Sequence, residues 1–173
     1  MIKKILKILI YFLLVILVSF FEISFLKTLG KPFNYLQIIL TISIFTTLFF
    51  GINRSLIWFV LGGYLLDLYS PFPFGLALIS ILIAILIVRG LSLWHFVPHT
   101  VYSLIILTMI GTAAYHVCFF LLNKLTMFLN KSATLYNLNF SEICWYIVAN
   151  VCLSILIFII FKQISKRFRI SLL

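Results

Sequence analysis

The sequence predicts an all-α, polytopic integral membrane protein of six transmembrane helices with both termini cytoplasmic, and three observations predict it. Hydrophobic residues make up 65% of the chain and charged residues 9%, far from the roughly half-apolar, quarter-charged norm of soluble domains. The apolar runs show no period-two alternation and exceed the roughly 10 residues of a barrel strand, so helices are the way for this backbone to bond itself in lipid. Basic residues gather at the ends of the runs and favour one side. At roughly 20 residues per span, the 173 residues and mean hydropathy of +1.29 describe a single transmembrane domain, 1–173, with no room for a soluble one.

Spans fall near 5–26, 35–50, 55–69, 74–88, 100–122 and 142–161. Lys3, Lys4 and Lys7 before a long apolar run imitate a secretory signal, but the run is too long and lacks a small-residue cleavage site, so it reads as a retained first span. Gly30 and Pro32 separate the first span from the second, and residues 51–54 form a tight polar turn before the third. Pro71 and Pro73 end the third span so close to the fourth that the two must form an antiparallel hairpin. The longest loop, 123–141, contains Met127, Phe128, Leu135, Tyr136 and Leu138. It is too apolar for a solvated linker, which predicts an interfacial helix. No internal repeat argues for a transporter of two halves.

The net charge of +10 comes from 13 Lys and Arg against three acids. Helix-end cations that meet anionic headgroups explain it, and no basic stripe with interleaved exposed aromatics is left for nucleic acid, so the bilayer is the implied partner. Nine cations lie on one side (Lys3, Lys4, Lys7, Arg54, Arg89, Lys162, Lys166, Arg167 and Arg169) and four on the other (Lys27, Lys31, Lys124 and Lys131). The positive-inside rule then puts both termini in the cytoplasm and residues 67–75 near the outer surface. Cys118, Cys144 and Cys152 are odd in number, lack C-x-x-C spacing and read as small apolar thiols.

Asp67, the sole aspartate, lies in GGYLLDLYSPFPFG, residues 62–75. A carboxylate at the end of an apolar helix is costly and invites a functional question. Gly63 lies one turn before it with Gly62 adjacent, so this face packs against another helix or a partner, and the acid can cap a helix, pair with a cation or accept from a hydroxyl. Glu22, five residues before Lys27, reads as half of an interfacial ion pair. His95 and His99 have metal-ligand spacing, but Pro98 breaks the turn and no acid or cysteine is near, so no metal is expected.

Thr108, Thr112 and His116 form one polar stripe on the fifth span, and Tyr146, Asn150 and Ser154 form another on the sixth. Hydrogen bonding between helices is the favoured reading, and a solute cavity the alternative. Three acids and no P-loop, nucleophile elbow or H-E-x-x-H motif argue against an enzyme, and no cofactor is expected.

From Pro32 to about Leu91 the chain resembles the bacterial rod shape-determining MreD family. Pro32 and Asn34 open the second span, Asn53 and Arg54 form the turn, and GGYLLDLYSPFPFGLALIS follows. The positions that match the family pattern are Gly62 or Gly63, Asp67, Ser70 and Gly75, whereas Pro71, Pro73 and the long final loop depart from it. The resemblance implies a fold similar to the substrate-binding subunits of energy-coupling-factor transporters and a place in the bacterial cytoplasmic membrane. It implies binding to the bitopic protein MreC and, through it, association with MreB, RodA and a class B penicillin-binding transpeptidase. The resulting expectation is a non-enzymatic scaffold for peptidoglycan synthesis during elongation, with Gly62, Gly63, Asp67, Ser70, Pro71, Pro73 and Gly75 as helix-packing or partner-binding residues. The alternative is a solute-capturing transporter subunit that uses Asp67, His116 and Asn150.

Overall fold

The computed structural model describes residues 2–94, 100–129, 136 and 139–168. They form six helices: α1 Ile2–Phe21, α2 Ile38–Phe50, α3 Ile52–Leu68, α4 Leu76–Trp94, α5 Val101–Leu129 and α6 Phe140–Phe168. No strand occurs among the described residues. A π turn, Glu22–Leu26, prolongs α1, and a 3-10 turn, Phe33–Tyr35, precedes α2. The first span with its π turn, α4, α5 and α6 are long and apolar enough to cross a bilayer, the pattern of a multi-pass helical membrane protein.

The six helices coincide with the six predicted apolar runs, with differences at their ends. α5 continues to Leu129, so Met127 and Phe128 belong to its last turns and not to a separate interfacial helix. Leu135 and Leu138, together with His95, His99, Lys131 and Arg169, lie outside the described residues.

The short α2 occupies the centre and touches the other five helices. Eight of its 13 residues are buried, including Ile39, Leu40 and Ile44. Its threonines do not break the apolar core, because Thr46 and Thr47 hydroxyls donate to carbonyls of their own helix, and the Thr41 hydroxyl to the Gln37 carbonyl just before it, at 2.7–2.8 Å. Gly51 ends it with φ +84°, a left-handed conformation that glycine adopts without a Cβ penalty, and the chain turns at once into α3. α3 and α4 pack side by side as the expected hairpin, and α5 follows against α4. At Gly111 an added Cβ would lie 2.7 Å from Ile44 Cδ1 and 2.9 Å from Val88 Cγ2. The missing side chain therefore lets α5 approach both α2 and α4.

One end of the bundle collects the last turns of α1, α3 and α5 and the first turns of α2, α4 and α6. The chemistry-bearing residues converge there.

Candidate functional site

The hairpin between α3 and α4 is built around Asp67. After α3 the chain turns through a Ser70 N–H bond to the Asp67 carbonyl at 3.2 Å and a Phe72 N–H bond to Ser70 Oγ at 3.2 Å. Gly75, at φ +97°, starts α4, and its carbonyl accepts the Ile79 N–H at 3.0 Å. A glycine in that position has no side chain with which to satisfy the first free N–H groups of the helix. Asp67 reaches across and does so: Oδ1 accepts from Ala77 N–H at 2.8 Å and Oδ2 from Leu78 N–H at 2.9 Å. The carboxylate is 3% exposed and sits at the positive end of the α4 dipole.

The two glycines make this reach possible on different sides. A Cβ on Gly62 would lie 2.5 Å from Ile39 Cγ2 of α2, and one on Gly63 would lie 3.0 Å from the Leu78 Cα of α4. Gly62, Gly63 and Asp67 are therefore turned inward, and each meets a helix of the same chain. Of the remaining candidate residues of this segment, Ser70, Pro73 and Gly75 are half-buried and Pro71 is exposed. Phe72 folds under the turn, edge-on to Phe119 at 5.2 Å and Tyr136 at 5.8 Å.

The same device recurs at α2. Gln37 precedes this helix without capping it, and Glu22 Oε2 accepts the Ile39 N–H at 2.8 Å. Glu22 is 2% exposed, and the Ile38 N–H also bears on its carboxylate. The expected ion pair gives way to a cap, with Lys27 exposed and acting only as a neighbouring charge. Two of the three acids thus serve as caps delivered from the preceding helix.

Beside these caps lies a polar cluster. Asn150 Oδ1 accepts the Gln37 backbone N–H at 2.9 Å, and Asn150 Nδ2 donates to Gln37 Oε1 at 3.1 Å. Because its oxygen is thus engaged, the Gln37 amide nitrogen faces His116 Nε2 at 3.4 Å as a donor. His116 Nδ1 is then the donor to the Tyr136 hydroxyl at 2.9 Å. Tyr136 is fixed through its backbone N–H, which donates to Asn123 Oδ1 at 3.1 Å. Burial raises the Tyr136 phenol above its ordinary pKa, with Tyr146 and Glu142 adding to the effect, so it remains an O–H donor.

The two predicted stripes are only partly used here. Thr112 joins the cluster through Asn150 Nδ2 at 3.4 Å, and Tyr146 packs on His116 with ring centroids 4.2 Å apart. Thr108 and Ser154 are buried, but their hydroxyls bond the Leu104 and Val151 carbonyls of their own helices. The sequence reading missed Gln37, Asn123 and the inward fold of Tyr136. Asn123 was legible, since residues 112, 116, 119 and 123 follow one helical face.

A cavity of about 240 Å³ opens between these groups. Glu22, Gln37, His116, Tyr115, Tyr136 and Tyr146 are among its walls, and exposed Lys27, Asn34 and Pro71 stand at its mouth. Asp67 and Asn150, expected as solute contacts, do not line it. No group of three metal-ligating side chains occurs among the described residues.

Since Asn150 ties α6 to the start of α2, Asn150→Leu should cost about 1–3 kcal/mol, the penalty for leaving the buried Gln37 N–H without a partner. Unfolding in mixed micelles checks this. In combination with Gln37→Leu the loss should be less than additive, because both changes remove one interaction. No family model, curated protein or solved structure matches the chain.

Proposed function

We propose that the chain is a non-enzymatic scaffold of the bacterial cytoplasmic membrane, related to the rod shape-determining MreD proteins, that binds an MreC-like bitopic partner during cell elongation. In this reading all six helices span the membrane and both termini are cytoplasmic. The observation that carries it is the use made of residues 62–75. The glycine pair, acid and third glycine on which the resemblance rests form one internal unit, a close-packed hairpin with a remotely capped helix. An acid with both oxygens engaged by backbone N–H groups is a structural element, which agrees with a protein that works by packing. Because the unit faces inward, a partner is received elsewhere, on the apolar outer faces of helices such as α1 and α6, where Leu9, Leu13, Leu17, Leu156 and Ile160 are exposed. MreB, RodA and a class B penicillin-binding transpeptidase then associate indirectly.

The test is co-purification from membranes with the MreC-like protein of the same organism, together with cell width after depletion. Retention of that partner and rounding of the cells are expected. Absence of both overturns the reading. The cavity favours a second reading, a solute-capturing transporter subunit. It is distinguished by a neighbouring gene for an ATPase module in place of elongation genes.

A further inference from the structure

We propose that the cavity binds a small organic cation, an ammonium group on a compact apolar or aromatic body. The inference rests on the cavity and holds for either functional reading.

Among the described residues Glu22 is the only acid in the cavity wall. It is buried, and the backbone N–H groups of Ile39, at 2.8 Å, and Ile38 bear on its carboxylate. A carboxylate offers about four acceptor positions on two oxygens, so acceptor capacity remains. Among the described residues no Lys or Arg forms an ion pair with it, and Lys27 acts only as a neighbouring charge, so a closer cation would find the buried carboxyl group open to it. The same wall holds the rings of Tyr115, Tyr136 and Tyr146, and aromatic faces attract cations. An anion would meet the Glu22 carboxylate at close range, and a purely apolar guest would leave the remaining Glu22 acceptor positions unused.

Lys27 is the opposing charge at this site. It is exposed at the mouth, where its long stem lets the ammonium remain in water. The volume of about 240 Å³, some eight waters at ~30 Å³ each, admits guests of the size of choline or benzylamine.

The experiment uses the purified full chain in nanodiscs. Choline and benzylamine are each titrated by calorimetry and thermal stabilisation, against their uncharged counterparts 3,3-dimethylbutan-1-ol and benzyl alcohol. At least one amine should bind and stabilise while its neutral counterpart does not. Glu22→Gln keeps an oxygen for the Ile39 N–H, so the cap persists, yet affinity should fall about tenfold or more with the charge removed. Tyr115→Leu should weaken binding about 3- to 10-fold, and Lys27→Ala should not weaken it. The proposal is overturned if neither amine binds, if a neutral counterpart binds as tightly, or if both Glu22→Gln and Tyr115→Leu bind the amine as the parent does. Should Glu22→Gln fail to fold, unchanged affinity in Tyr115→Leu alone overturns it. Co-purification of the MreC-like partner is independent of all these outcomes.

Discussion

Replacing Asp67 with alanine is expected to destabilise the protein by about 3–5 kcal/mol, the result of leaving two buried N–H groups without acceptors at roughly 1–3 kcal/mol each and more where no water enters. The size follows from the local sequence. Gly75 opens α4 without a side chain, so the Ala77 and Leu78 N–H groups have their acceptors in the Asp67 carboxylate at 2.8 and 2.9 Å. Asp67→Asn keeps one acceptor oxygen but turns an amide N–H₂ toward a second N–H, so its loss should be intermediate. Reversible unfolding in mixed micelles measures both variants. If both unfold within about 1 kcal/mol of the parent, below the cost of even one orphaned N–H, the cap contributes nothing.

Gly63→Leu is expected to have an effect at least as large, about 3 kcal/mol or more, or to prevent folding. Overpacking typically costs about 1–3 kcal/mol where neighbouring side chains can yield. Here the nearest atom to the new Cβ is the Leu78 Cα at 3.0 Å, which moves only if α4 moves. A shift of α4 away from α3 also lengthens the two Asp67 bonds, so Gly63→Leu and Asp67→Ala should combine less than additively. Gly90→Leu is the control, since nothing lies within 4 Å of a Cβ there. Its effect should stay within about 0.5 kcal/mol, the usual range for an open surface position. The yield of monodisperse protein and the unfolding midpoint in micelles report the difference. Equal behaviour of the two leucine variants contradicts close helix contact at Gly63.

Much of this architecture was legible because lipid imposes simple demands. Apolar runs and their breakers gave six helices in order, and Pro71, Pro73 and the shortness of the turn gave the hairpin. Capping stood among the possibilities for Asp67, since an acid beside small residues has few ways to be satisfied in a membrane. Glu22 was harder. Its partner, Ile39, is 17 residues away, across a connector whose path no local pattern reveals, while Lys27 at five residues offered a plausible local alternative. The polar stripes were visible as helical spacing, yet spacing does not tell a hydroxyl bonded within its own helix, as at Thr108 and Ser154, from one that reaches a neighbour, as at Thr112. Gln37 gave a weak signal as a polar residue immediately before the α2 run. Tyr136 gave none, because its partner His116 lies 20 residues away, on a helix. The extension of α5 to Leu129 was hidden because an apolar helix leaving the membrane has the composition of one lying on its surface.

Asp67 and Glu22, at this end of the bundle, each act as a cap on the next helix. Amide hydrogen exchange, resolved by residue in the folded protein, tests this capping most directly. In Asp67→Ala, protection should fall at Ala77 and Leu78 and persist at Ile39, which Glu22 holds. Unchanged protection at Ala77 and Leu78, or an equal loss at all three amides, contradicts it.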